Sequence, residues 1–141
     1  MIEKLDVKTL TQKKLAKTID HSLLNPTVTD EDLEEGCRLA DKYHTASVCV
    51  KPYHVKRASE LLLNSDVKVC MVIGFPQGGH LPKIKALEAE QAIADGAKEL
   101  DMVINIGALK SKRFSFTRQD IKAVVDAVSY THLTLPTTPY V

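Results

Sequence analysis

A chain of 141 residues with 19 Lys+Arg against 18 Asp+Glu has a formal charge of +1 and the length of one ordinary domain with a real core. Its 44% hydrophobic and 26% charged content is average for a folded chain and excludes a disordered tail, a collagen-like repeat and a disulfide-dense miniprotein. The near-neutral balance, without a Lys/Arg block, argues against a phosphate-backbone binder, so no nucleic-acid partner is expected.

No apolar run approaches the roughly 20 residues of a membrane helix. The opening MIEKLDVKTL carries acidic residues and lacks the apolar centre of a secretory signal. Cys37, Cys49 and Cys70 are odd in number and show no CxxC spacing, which fits reduced thiols. A soluble, cytoplasmic protein with no membrane partner is the expectation.

Along the chain, a leading helix from about Thr11 to Lys17 precedes a first strand in KTIDHSLL, 17–24. Thr29 with Asp32 has capping-box spacing and opens a helix whose Leu33, Gly36, Cys37 and Ala40 share one face. ASVCVK, 46–51, reads as a second strand; Pro52 then suits a first helical position, with Val55, Ala58, Leu61 and Leu62 behind it. VKVCMVIGF, 67–75, is a third strand. It is followed by a helix from Leu81 to Asp95 with Ala86, Ala89 and Ile93 on one face and Gly96 at its end. ELDMVINIG, 99–107, is a fourth strand. Thr117 with Asp120 repeats the capping spacing ahead of Ile121, Val124, Val125 and Val128. Strand then helix, four times over, means parallel strands joined by crossover helices, an α/β chain.

The last residues, SYTHLTLPTTPYV, break this pattern: Thr and Pro crowd in and neither period continues. They read as an irregular tail or as non-native sequence; the segment resembles translated adapter or vector sequence. The expected division is therefore 1–128 as folded domain and 129–141 as a non-native or disordered tail.

Period two assigns faces within the strands. Leu100, Met102, Ile104 and Ile106 share the face that should meet the helices, while Asp101, Val103 and Asn105 share the other. Thr18, Asp20 and Ser22 oppose Ile19, His21 and Leu23, and Ser47, Cys49 and Lys51 oppose Ala46, Val48 and Val50. Three strands thus carry polar groups on one common face, which converge if the sheet curls. Asp101 stands out because a carboxylate within an apolar strand costs several kcal/mol unless paired. It is either a satisfied structural Asp or a catalytic one. Asp20 has Thr18 and Ser22 nearby to satisfy it. Cys49 reads first as a small core residue. Lys51, at a strand's C-terminal end, is a candidate amine nucleophile or a solvated loop-edge lysine. GFPQGGH, 74–80, fits neither GxxxxGK[ST] nor GxGxxG; it is a weak phosphate cradle and a plausible loop over an active site. The five histidines show no HxH or HExxH arrangement, so no metal site is expected.

IDHSLLNP (19–26), SVCVKPYHV (47–55), VIGFPQGGH (72–80) and DGAKELDMVINIGALK (95–110) together resemble the deoxyribose-phosphate aldolase family. The similarity runs from about Leu15 to Val128. It implies a TIM (β/α)8 barrel, of which this chain holds about the first four βα units as an open half-barrel. The implied reaction is reversible cleavage of 2-deoxy-D-ribose 5-phosphate to D-glyceraldehyde 3-phosphate and acetaldehyde, in deoxyribonucleotide breakdown. It proceeds through a lysine Schiff base with no metal or organic cofactor. The implied partner is the phosphorylated sugar, with a homo-oligomer also open. By motif position Asp101 matches the family's proton-relaying aspartate, and Asp20, Ser22 and Cys49 match pocket positions; Ser22 stands where Thr is usual. Asn25 where Lys is common and Lys51 where Asn is common are departures.

The resemblance also places the Schiff-base lysine in a KTSTG-type motif on the sixth strand and a second lysine in a KASGG-type motif on the seventh. Neither motif occurs in this chain. Against the roughly 250 residues of such barrels, the chain is expected to be a truncated half and inactive alone. The alternative is a noncatalytic half-barrel that serves as a binding or assembly module.

Overall fold

The computed structural model describes residues 9–129. A short helix α1 (Gln12–Ala16) leads into four βα units: β1 (Asp20–Leu23), α2 (Asp30–Tyr43), β2 (Ser47–Val50), α3 (Val55–Leu61), β3 (Lys68–Ile73), α4 (Pro82–Ala94), β4 (Glu99–Met102), then α5 (Ile106–Lys110) and α6 (Phe114–Ser129). A 3-10 turn over Pro52–His54 feeds α3. All strand pairings are parallel and the sheet order is β1-β2-β3-β4, so each crossover places a strand beside its predecessor. Among the described residues, β1 and β4 are the open edges of the sheet.

One face of the sheet builds the core. Val48 and Val50 of β2 and Val69, Met71 and Ile73 of β3 pack with Leu33, Cys37 and Ala40 of α2, Val55 and Ala58 of α3, Ala89 and Ala92 of α4, and Val124 and Val128 of α6. Leu23, Leu100 and Met102 join them half-buried. Each fully buried Val, Leu, Ile or Met contributes about 1.5–3 kcal/mol, which is what holds the layers together. Gly36 lets α2 approach β1, since a Cβ there would lie 2.5 Å from Leu23 Cδ1.

The expected start of α2 is present in full. Asp32 N–H donates to Thr29 Oγ1 at 3.2 Å, and Thr29 N–H donates to Asp32 Oδ2 at 2.9 Å. The helix ends on His44, a non-glycine in the left-handed region at φ 54°.

Several expectations need correction. The fourth strand is shorter than the run 99–107, because Asn105 caps α5, its Oδ1 accepting from Ala108 N–H at 2.9 Å. Val103, Ile104, Asn105 and Ile106 are therefore not strand residues. Thr18 lies outside β1 and donates through Oγ1 to Leu15 O at 2.8 Å. Thr117 and Asp120 do not cap a helix: α6 begins at Phe114, Thr117 Oγ1 donates back to Arg113 O, and Asp120 is fully buried inside the helix. The fully buried positions of α4 are Lys85, Ala89 and Ala92; of the expected Ala86, Ala89 and Ile93, Ala89 is among them and Ile93 packs half-buried against the core.

Apolar side chains also remain exposed. Leu15, Ile19, Leu39 and Tyr43 line a groove beside β1, and Leu109, Phe114, Ile121 and Val125 line another on α5 and α6. Among the described residues no helix is long and apolar enough to cross a membrane. Apart from Ser129, which closes α6, the tail assigned to 129–141 lies outside the described residues.

Candidate active site

Strand register sets out the face opposite the helices. Asp20 stands beside Ser47, Ser22 beside Cys49, Cys49 beside Cys70, Cys70 beside Glu99, and Val72 beside Asp101. The common polar face expected for Asp20, Ser22, Cys49 and Asp101 is thus formed, with Val72 and Cys70 supplied by β3. Asp20, Ser22 and Asp101 are exposed, and Cys49 is buried.

Asp20 finds its partner across the sheet rather than along its own strand. Ser47 Oγ donates to Asp20 Oδ1 at 2.7 Å, and Ser47 is itself fully buried. Glu99 pairs with Lys68 at 2.6 Å on the same face. Among the described residues no side chain forms a hydrogen bond or ion pair with Asp101. Of the two readings of this carboxylate, satisfaction by a lysine or backbone neighbour is absent within this part of the fold.

A cleft of about 650 Å³ opens where β1, β2 and β3 end, lined by Leu24, Lys51, Tyr53, Val72, Phe75 and Glu88 among others. The C-terminal ends of parallel strands are where barrel enzymes place their chemistry. Lys51 borders this cleft, and its ammonium is fully engaged. Nζ donates to the carbonyls of Asn25, Pro26 and Val28 at 3.1, 3.3 and 3.3 Å, and lies 5.4 Å from the Tyr53 ring centroid. Three N–H groups on three carbonyls hold the β1–α2 loop in place. That arrangement gives Lys51 a clamping role.

The GFPQGGH loop is organised by contacts other than phosphate cradling. Gly74 N–H donates to Glu88 Oε2 at 2.8 Å, and His80 Nδ1 lies 3.4 Å from Glu88 Oε1. Gly78, at φ +67°, sits so close to the next loop that a Cβ would clash with the Ile104 carbonyl oxygen. The glycine therefore serves the approach of the β3–α4 loop to the end of β4.

Behind the end of β4 lies a buried ion pair that sequence reasoning missed. Lys85 Nζ and Asp120 Oδ2 are 2.6 Å apart with both side chains fully buried. Lys85 Nζ also donates to Val103 O at 2.9 Å, and Asn105 N–H donates to Asp120 Oδ2 at 3.1 Å. The pair fixes the chain just after Asp101, while Asp120 Oδ1 is buried without a hydrogen-bond partner. The available signal was spacing: Lys85, Ala89 and Ala92, and Asp120, Val124 and Val128, each put one charge in an otherwise apolar stripe. Buried charges of opposite sign on neighbouring helices must meet.

His54 is also fully buried, with neither ring nitrogen hydrogen-bonded and Asp30 Oδ1 3.6 Å from Nε2. Burial, reinforced by the Lys51 charge, holds its imidazole below the usual range.

Four parallel strands in one sheet, each followed by a helix, make up part of a TIM barrel, and the comparisons with known proteins supply its class. The profile described as DeoC/LacD family aldolase matches residues 14–140, and the chain belongs to that family. A deoxyribose-phosphate aldolase of Clostridium perfringens is 50% identical over 123 residues, covering 87% of this chain and 55% of the relative. One from Macrococcus caseolyticus is 55% identical over 113 residues, covering 80% of this chain and 51% of the relative. A solved structure assigned as a deoxyribose-phosphate aldolase from Coccidioides immitis superimposes with a TM-score of 0.82 at 38% identity, covering 85% of this chain and 47% of that one. The tetrameric deoxyribose phosphate aldolase of Aeropyrum pernix gives a TM-score of 0.66 at 25% identity, covering 89% of this chain and 64% of that one. The chain spans about half the length of the curated relatives it matches.

Proposed function

We propose that this chain is the N-terminal half of a deoxyribose-phosphate aldolase, contributing the proton-relaying side of the site to a lysine nucleophile carried by the other half. The observation that supports it most is Asp101: a carboxylate inside a strand, turned away from the helix-packed core and without a partner among the described residues. In the proposed reaction a lysine amine adds to the sugar carbonyl and water leaves. The protonated imine then draws the electron pair of the breaking C–C bond. Asp101 moves protons during addition and dehydration, Asp20 anchors the polar network through Ser47, and Ser22 and Cys49 line the pocket. The substrate is 2-deoxy-D-ribose 5-phosphate, in a soluble cytoplasmic setting. Residues 129–141 are read as not native to the domain. The exposed apolar grooves at Leu15/Ile19 and at Phe114/Ile121 then become seats for the second half of the barrel.

The test is a chimera joining residues 15–128 to the C-terminal remainder of the Clostridium perfringens relative. It should release aldehyde from 2-deoxy-D-ribose 5-phosphate, and Asp101→Asn should lower the rate by about 10²–10⁴-fold, as expected for a lost proton-transfer group. A soluble, folded chimera without activity would defeat the proposal. The chain alone, mixed with substrate and borohydride, should trap no adduct; a covalent adduct on Lys51 would move the nucleophile into this half. The two exposed grooves also favour a second reading, a noncatalytic half-barrel that associates with itself, which a stable dimer of the chain in solution would support.

A further inference from the structure

We propose that Cys49 and Cys70 form a reversible peroxide-sensitive dithiol, closing into a disulfide that ties β2 to β3 across the polar face of the sheet. The two residues are register partners on adjacent parallel strands and pack together in one small cluster with Val72. Neighbouring strands lie about 4.7–4.9 Å apart, inside the roughly 4.4–6.8 Å Cα separation that a disulfide spans. Both thiols are free, and they are 5% and 6% exposed on the face that also carries the exposed Ser22 and Asp101. That face, which the helices do not cover, is the side from which a small oxidant would approach.

Their contact sets the order of events. The two thiols pack side by side as register partners; the neighbouring Cys70 thiol draws Cys49 below its ordinary value, while the Cys49 thiol, together with burial, pushes Cys70 up. Burial, then the Asp101, Asp20 and Glu99 carboxylates, oppose the thiolate at Cys49, so the pairing of the two sulfurs in space, more than thiol acidity, sets the site apart. In the first step the Cys49 thiolate attacks one oxygen of hydrogen peroxide. The O–O bond breaks and hydroxide leaves, giving a sulfenic acid. In the second step the Cys70 sulfur attacks Cys49 Sγ, the S–O bond breaks, and the departing oxygen leaves as water with the Cys70 proton. Two thiols are oxidised, one peroxide is reduced, and two waters result. Cys37 is the internal control: it packs in the helix-side core, and burial pushes its thiol up to about 11.

The experiment treats the native chain with hydrogen peroxide beside free glutathione, quenches in denaturant with N-ethylmaleimide, and maps tryptic peptides by mass. Lys68 separates the two cysteines, so a disulfide appears as a cross-linked peptide pair lighter by two hydrogens, with Cys37 alkylated and dithiothreitol restoring both thiols. In Cys70→Ser, Cys49 should be captured by dimedone as a sulfenic acid; in Cys49→Ser, Cys70 should not. Recovery of both Cys49 and Cys70 as alkylated thiols at a dose that fully oxidises glutathione overturns the proposal. Oxidation of Cys37 first, or a disulfide-linked dimer in place of the internal bond, also overturns it.

Discussion

The two faces of the sheet are made by the same four short strands, yet they do different work. On the helix side Val48, Val50, Met71 and Ile73 are at most 1% exposed and fill a continuous core. On the other side Asp20, Ser22 and Asp101 are exposed, while Ser47 and the small Cys49–Cys70–Val72 patch are buried. Parallel strands ordinarily have both faces covered. The contrast therefore separates what folds this chain from what its polar face is for: apolar burial lies on one side, and chemically capable groups are left on the other. The ion pair of Lys85 and Asp120 is where the two meet, because it is buried among helices yet grips the backbone just past Asp101.

The largest effect is expected at that junction. Lys85→Met leaves Asp120 buried without its cation, and removing one partner of a buried pair costs about 3–5 kcal/mol. Against the roughly 5–15 kcal/mol of an ordinary domain, this should abolish the cooperative urea transition or move its midpoint far down. Replacing both charges, Lys85→Met with Asp120→Leu, should recover much of the loss, since a neutral apolar pair carries no desolvation cost. If the double variant is less stable than Lys85→Met alone, the two residues are not coupled as described.

Next in size is a matched pair of substitutions across the sheet. Ile73→Ala on the core face should cost about 2–5 kcal/mol through lost burial and the cavity left behind. Asp101→Asn on the opposite face should change stability by no more than about 0.5 kcal/mol, since it removes no packing and no partner. Equal losses at the two positions, read from urea midpoints at constant slope, would mean that the polar face is also part of the folding core.

Period-two alternation exposed the two faces in advance for β1, β2 and β4, because each of these short strands sets its carboxylate, hydroxyl or thiol groups on one side. The capping box at Thr29 and Asp32 was equally readable, being a purely local device. The end of β4 was not: VINIG alternates like a strand, and only the Asn105 side chain bonding to Ala108 N–H turns it into α5. Lys85 and Asp120 were obscure because they are 35 residues apart, and Thr117 with Asp120 imitates a cap that α6, starting earlier, never uses. Lys51 was placed correctly at its strand end, but its three carbonyl contacts belong to a loop whose path no local pattern dictates.

The smallest effect lies far from both faces, at the link between α1, the end of α2 and the turn before β3. Asp66 accepts from Lys17 Nζ at 2.9 Å and pairs with His44 Nδ1 at 2.8 Å. The hydrogen bond from His44, then that from Lys17, holds its carboxyl down to about 2 from an ordinary 3.8. A depressed folded-state pKa contributes stability that is fully present above the unfolded value and is lost as pH falls through the folded one. Asp66→Asn should therefore be slightly less stable than the parent at neutral pH, the gap constant down to about 3.8 and closing toward about 2. The groups are exposed, so salt should shrink the gap at every pH. A difference in urea midpoint that persists unchanged through the acid range would assign the effect to the loss of side-chain geometry rather than to charge, and the link would not be an ionic one.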